Sequence, residues 1–293
     1  MARVTVTHFT DPGCPFAYSA TPALAVLHWR YAEQLDWRLV TIGLAESAQR
    51  YIDAGYTPAR STASNRRNFG RFGMPLLAEP RARVVATSRA CRAIIAARRL
   101  HPGREEQVLR ALQFGWFTTT LLMDEDDAIA SVLSAVEGID AMAVVAAIED
   151  PEVLAEYERD KDETRQAAGG ATEFQGKARQ TDGPVRYSAP SLVFTADGGQ
   201  RLEAGGFQTI EAYDVLIANL DTTLERRGEA EDPLEVLQAF PDGLVTQEIA
   251  AVMAPNNAQP DAGAAEDALI ELAGRGTVRR EPLADDALWR IAS

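Results

Sequence analysis

Residues 3–44 set a cysteine at the junction between a short strand and a helix, and follow that helix with a second strand. From Arg3 to Thr10, Val4, Val6 and His8 alternate with threonines, the period-two pattern of a β-strand. Asp11-Pro12-Gly13 reads as a turn, and Cys14-Pro15 follows it. Ala20, Leu24, Leu27 and Tyr31 then recur at helical spacing as far as about Gln34. Proline suits the first turn of a helix because its missing N–H had no partner there. Pro22 lies further in and predicts a kink or a second helix start. Leu35 to Leu44 is the second strand, so the opening order is strand, cysteine turn, helix, strand.

The stretch from Glu46 to Glu79 is polar, rich in Gly, Pro, Ser and Arg, and has few periodic patterns. Between Arg81 and about Ala167 the apolar spacing becomes helical over some five segments, with Val84, Val85, Ser88, Cys91 and Ile95 on one stripe. Strands resume at Ser191 to Thr195 and Gln200 to Ala204 around the turn Asp197-Gly198-Gly199, so the helical block reads as an insertion within an α/β scaffold. A helix is expected from Ile210 to Leu224 and a charged hinge from Glu225 to Asp232. Three short helices and two terminal strands from Pro233 onward have the order of a winged helix.

Charge narrows the function. The chain carries 29 basic and 43 acidic side chains, a net of −14, which disfavours nucleic acid and anionic membranes as partners. No run of about 18 apolar residues is present to span a bilayer. Residues 1–10 lack the basic, apolar and small-residue order of a secretion signal, so a cytoplasmic location is expected. Two cysteines do not make a disulfide framework, and with three histidines they are a poor zinc inventory, so no metal is expected. The tail from Asp232 holds 11 acidic against 4 basic residues, and its third helix carries Glu266, Asp267 and Glu271. That favours a protein-contact module, either docking on its own core or pairing with a second copy as a homodimer, over a reader of DNA.

Cys14 is the residue with chemistry to offer. At a helix start, unpaired N–H groups and the helix dipole favour negative charge, so a thiolate with a lowered pKa is expected. The plainer reading is a small apolar residue at a strand–helix junction. Asp11-Pro12-Gly13-Cys14-Pro15-Phe16-Ala17-Tyr18, between strand and helix, resembles the opening of a thioredoxin fold and the DsbA-like family in particular. Ser188-Ala189-Pro190-Ser191-Leu192-Val193-Phe194 resembles that family's cis-proline loop. A helical insertion is also a feature of bacterial DsbA, of kappa-class glutathione transferases and of 2-hydroxychromene-2-carboxylate isomerases. Arg66-Arg67 followed by Gly73-Met74-Pro75 is similar to the isomerase group.

The resemblance spans about residues 3–228 and implies an α/β thioredoxin-like fold with an all-helical insertion, to which the tail adds a small C-terminal winged-helix-like domain. The expected parts are residues 1–48 and 184–228 for the thioredoxin-like halves, 49–183 for the insertion and 229–293 for the C-terminal module.

By the same resemblance, Cys14 is the nucleophile of a motif completed by Pro15, Phe16 and Ala17. Pro190 shapes the facing groove, and the backbone of Ala189 pairs with an extended thiol peptide. Gly206 and Phe207, at the expected start of the last helix, fall where glutathione-using relatives hold the γ-glutamyl end of their cosubstrate, although no acid–serine pair stands there. Position 17 is alanine where dithiol enzymes have a second cysteine, so only monothiol chemistry is open at this motif.

Cys91, on an apolar stripe, reads as a buried structural cysteine. Seven arginines between Arg50 and Arg83 against Asp53 and Glu79 suggest an anion site beside the groove or a solvated helix face. Arg66, Arg67 and Tyr18 are candidate groove residues, His8 reads as core, and Asp11 either perturbs Cys14 or simply forms the turn. The expected activity is a DsbA-like thiol-dependent oxidoreductase or isomerase acting with a low-molecular-weight thiol, glutathione or another, on a small-molecule or thiol substrate. The competing expectation is a non-catalytic binding or adaptor protein on a degenerate thioredoxin fold.

Overall fold

The computed structural model describes residues 3–181 and 183–292; residues 1, 2 and 293, at the ends of the first and last expected parts, and residue 182 in the insertion lie outside the described residues. Strand β1 (Val4–Thr10) pairs in parallel with β2 (Leu35–Thr41), Val4 opposite Leu35 and Thr10 opposite Thr41. Parallel neighbours need a crossover, which α1 (Pro15–Ser19) and α2 (Thr21–Tyr31) supply. The helix breaks at Ala20 and restarts with Pro22 in the first turn of α2, so this proline marks a second start and its missing N–H falls among groups that lack intrahelical partners.

On the other side of β1 run β3 (Ser191–Ala196) and β4 (Arg201–Gly205), each antiparallel to its neighbour, giving the order β2-β1-β3-β4. Alternation sends Val4 and Val6 toward Leu24, Leu27 and Tyr31 of α2. Phe9 instead joins Val40, Val193 and Cys14 in a separate buried cluster.

Between the two halves lie α3 (Gln49–Asp53), α4 (Pro58–Phe69), α5 (Ser88–Leu100), α6 (Glu105–Thr118), α7 (Asp126–Leu133), α8 (Ala141–Ala147), α9 (Pro151–Thr164) and α10 (Ala171–Phe174). The first two occupy the polar stretch in which the sequence shows few periodic patterns. Helix α4 needs little apolar periodicity because it buries Phe69 alone; Pro58 opens its first turn and the Thr57 hydroxyl accepts from Arg60 N–H at 3.2 Å. Helix α5 is the centre of the insertion, with Ala90, Cys91, Ile94 and Ile95 fully buried among residues of α6, α8 and α9. Arg98 fixes the insertion to the sheet by donating to Leu39 O at 2.7 Å and to Asp160, whose Oδ2 also accepts from Thr41 N–H at 2.8 Å.

After β4 comes α11 (Ile210–Leu220), shorter than its apolar pattern, and then α12 (Pro233–Ala239), β5 (Leu244–Val245), α13 (Thr246–Met253), α14 (Ala262–Gly274), β6 (Val278–Leu283) and β7 (Asp286–Ile291). The three helices after α11 and an antiparallel sheet in the order β5-β7-β6 form a small C-terminal domain, in which β5 adds a third strand to the two expected. It docks on its own chain. Ala25, Val26 and Trp29 of α2 share a buried cluster with Val236, Leu237, Ile249, Val252 and Trp289. Glu248, 1% exposed, accepts two bonds from Arg110 at 2.7 and 2.6 Å and one from Val245 N–H at 2.9 Å. Near the domain's hinge, buried Arg30 pairs with Asp214, which also accepts from the Tyr31 hydroxyl at 2.9 Å. No helix among the described residues is long and apolar enough to cross a membrane.

Candidate active site

Cys14 is the N-cap of α1, with φ −86° and ψ 115°. Its N–H donates to Asp11 O at 3.1 Å and its carbonyl accepts from Tyr18 N–H at 3.0 Å, which fixes the side chain over the first turn. The Sγ donates to the carbonyl of Ala189 at 3.3 Å. Cys14 is only 5% exposed, and burial pushes its thiol up to about 12; the N–H groups of Ala17 and Phe16 pull the other way, while the charge of Asp11 adds to the rise. The expected low-pKa thiolate is therefore corrected to a protonated thiol. Two N–H groups and the dipole of a five-residue helix do not offset the hydration a buried thiolate loses.

The facing wall is the loop Ser188-Ala189-Pro190-Ser191, in which the Ala189–Pro190 peptide is cis and Pro190 is buried. Ser188 Oγ donates to Lys177 O at 2.7 Å, Ser191 Oγ donates to Ser188 O at 2.6 Å, and Gly206 N–H donates to Ser191 Oγ at 3.0 Å. Gly206 and Phe207 thus sit beside the loop, but between β4 and α11; the helix begins only at Ile210. The Phe207 ring lies 4.8 Å from Phe72 and 6.5 Å from Phe16, and Phe16, 47% exposed, meets Phe69 edge-on at 4.7 Å.

Behind the cysteine turn, Asp11 is completely buried. Its carboxylate accepts from Gly13 N–H at 2.9 Å, Leu44 N–H at 2.8 Å, the Thr87 hydroxyl at 3.0 Å and Cys91 Sγ at 3.5 Å. Gly13 is required by close approach, since a Cβ there would lie 2.7 Å from Thr87 Cγ2 and 2.8 Å from the Trp116 ring.

A cleft of about 670 Å³ opens alongside, lined by Gly13, Pro15 and Phe16 of the turn, by Tyr51, Arg67, Phe69 and Arg71, and by Arg81, Arg83 and Trp116. Cys14 lies between two lining residues without lining the cleft itself. Arg67 and Arg71 are exposed here, while Arg83 is held by Asp124 and Glu125 and Arg81 lies 5.5 Å over the Trp116 ring.

Two expected groove residues belong elsewhere. Arg66 points to the C-terminal domain, donating to Leu76 O at 2.7 Å and pairing with Asp285. Consecutive helix residues diverge by roughly 100°, so Arg66 and Arg67 do not share a face. Tyr18 is buried, donates to Pro75 O at 3.0 Å and stacks on Phe117 at 4.5 Å, which makes it core. Tyr51, Thr87 and Trp116 escape a sequence reading of the site because they come from segments distant in the chain, and the apolar stripe that carries Trp116 on α6 says that it packs but not against what.

A profile of the DSBA-like thioredoxin domain matches residues 5–169. The chain belongs to the DsbA-like thioredoxin family. Its fold is similar to that of a Nitrosomonas europaea protein designated a protein disulfide isomerase, with a TM-score of 0.54 at 15% identity over 74% of this chain and 97% of that one. The cytosolic disulfide reductase DsbM of Pseudomonas aeruginosa gives a TM-score of 0.51 at 18% identity, over 75% and 98%. A Streptomyces coelicolor protein designated a DsbA oxidoreductase gives 0.52 at 16%, over 78% and 94%. At these identities the likeness is one of fold. No curated protein matches the chain. This DsbA-like chain carries Cys14-Pro15-Phe16-Ala17 at its first helix, and among its described residues no group of three or more His, Cys, Asp and Glu side chains is placed to hold a metal ion.

Proposed function

We propose that this DsbA-like protein is a thiol-dependent oxidoreductase or isomerase that works through Cys14 alone, with a small anionic thiol as cosubstrate. The observation that carries this reading is the Cys14 Sγ at the helix cap, 3.3 Å from the Ala189 carbonyl, with alanine at position 17. Arg67 and Arg71 on the adjoining cleft suit the carboxylates of such a thiol. The likeness to a cytosolic disulfide reductase accords with the class of chemistry and with a cytoplasmic setting.

In the proposed exchange, Cys14 loses its proton and attacks one sulfur of a small disulfide. The S–S bond breaks, a mixed disulfide forms at Cys14, and the leaving thiolate takes up the proton. A second small thiol then attacks the mixed disulfide, releases a new disulfide and restores the Cys14 thiol, because Ala17 supplies no resolving sulfur. Burial of the sulfur means that substrate entry has to uncover it, so the free protein is expected to react slowly.

The test is incubation of the full chain with 2-hydroxyethyl disulfide or oxidised glutathione, followed by peptide mass spectrometry. A mixed disulfide on Cys14, and loss of exchange turnover in Cys14→Ser, are expected. Turnover that survives in Cys14→Ser would remove Cys14 as the nucleophile, and a native protein that neither acquires the adduct nor turns over would turn the reading to a non-catalytic binding protein.

A further inference from the structure

A second cavity, of about 510 Å³, opens where the sheet, the helical insertion and the C-terminal domain meet. It shares no lining residue with the cleft beside Cys14. Trp37 of β2 lines it, with His28 of α2 stacked on the indole at 4.3 Å and His8 of β1 meeting it edge-on at 6.5 Å. Trp29 and Phe240 extend the aromatic lining. Cavities of this size, apolar with a few polar groups, are the usual seat of small organic ligands. His8 is 5% exposed, and neither its Nε2 nor the Nε1 of Trp37 has a hydrogen-bond partner.

The charges around this cavity are unevenly committed. Arg110 is taken by Glu248 at 2.6 Å, and Arg227 by Glu235 at 2.6 Å while its guanidinium lies 3.3 Å over Trp29. The nearest basic group to Glu106 is His28 Nε2 at 3.8 Å, and burial pushes that imidazole down to about 4, so it is neutral at pH 7. Asp242 accepts from the Gln107 amide at 3.2 Å, a neutral donor. Glu106 is therefore a carboxyl beside the aromatic walls without a charged partner among the described residues; burial and the neighbouring Glu105 push it up to about 7, so it is about half ionised at neutral pH and a cation at its side favours the ionised form.

We propose that this cavity binds a planar organic cation, its ring against the Trp37 indole and its charge beside Glu106. The acids select against anions of the same shape, and the aromatic walls select against hydrated inorganic cations. The site is independent of the thiol chemistry at Cys14.

The probe is proflavine, a planar cation, titrated into the full chain by fluorescence anisotropy, with neutral acridine and anionic 9-anthracenecarboxylate compared by calorimetry. Saturable one-to-one binding of proflavine is expected, with the other two at least about tenfold weaker. Glu106→Gln should weaken proflavine about tenfold, while Glu271→Gln, which removes an exposed acid on α14, should not change it. Absence of saturable binding overturns the proposal, as does equal affinity for the anion or an equal loss in Glu271→Gln, the mark of diffuse attraction to an acidic surface. Cys14→Ser should bind proflavine like the parent protein, so failure here and failure of the thiol reading are separable.

Discussion

The Sγ of Cys91 donates to Oδ2 of Asp11 across 3.5 Å, so the second cysteine of the chain is tied to the carboxylate whose charge adds to the effect of burial in raising the first. The same carboxylate anchors the cysteine turn through Gly13 and the strand end through Leu44. Asp11 is thus both the turn former and a charge that perturbs Cys14.

Asp11→Asn removes that charge, and the pH midpoint for alkylation of Cys14 by iodoacetamide should move down. One amide oxygen replaces a carboxylate serving four donors, so a loss of about 1–3 kcal/mol in stability should accompany it. Peptide mass spectrometry at several pH values reads the first effect and urea unfolding the second. An unmoved midpoint would leave burial as the sole cause.

Stability should fall in alkali. The Cys14 thiol is raised from 9.0 to about 12 in the fold, so between those values the unfolded chain has lost a proton that the native state still holds. The contribution is level below pH 9 and declines above it by about 1.4 kcal/mol per pH unit. Cys14→Ala should flatten the decline by one proton's worth, measured by urea unfolding at pH 8 and pH 10.

The acid limb has the opposite sign. Burial, helped by the nearby His28, pushes His8 from 6.5 down to about 3. As pH falls below 6.5 the unfolded chain takes up a proton that the native His8 refuses, and stability is lost progressively toward pH 3. His8→Leu should be less sensitive, seen as a smaller shift in urea midpoint between pH 7.5 and pH 5.

Gly13→Ala places a methyl 2.7 Å from Thr87 and 2.8 Å from Trp116. Overpacking of this kind costs about 1–3 kcal/mol, and the tryptophan emission should change as the ring gives way. Gly228→Ala, where a Cβ meets nothing within 4 Å, is the control and should leave both unaltered.

Arg110→Met strands the buried Glu248 carboxylate between the insertion and the C-terminal domain. Breaking such a pair from one side costs about 3–5 kcal/mol. Adding Glu248→Gln should recover part of the loss, and thermal unfolding of the two variants compares them.

The strand–cysteine–helix–strand opening and the hairpin at Asp197-Gly198-Gly199 were readable because local period and turn chemistry decide them, whereas the two-residue strand β5 in the tail is too short to leave such a pattern. So was the position of Cys14 at a helix cap, while Ala189 opposite it was expected only from the resemblance of residues 188–194 to a cis-proline loop. The protonation of Cys14 was not, because it depends on what covers the sulfur rather than on the turn that carries it. Tyr18 and Arg66 were misplaced for a related reason. Helical spacing says that neighbouring residues diverge, but not which of them the third dimension will bury. The polar helix α4 was invisible to apolar periodicity, since a proline, a threonine cap and one phenylalanine suffice to hold it.

Helix α2 is clothed on two sides, by the sheet through Leu24 and Leu27 and by the last domain through Ala25, Val26 and Trp29. A truncation ending near residue 228 would therefore strip an indole and two aliphatic side chains bare to solvent, directly downstream of the cysteine turn. The tail is best regarded as structural cladding for the reactive scaffold: shear it off and the remainder inherits a sticky flank in place of a finished protein.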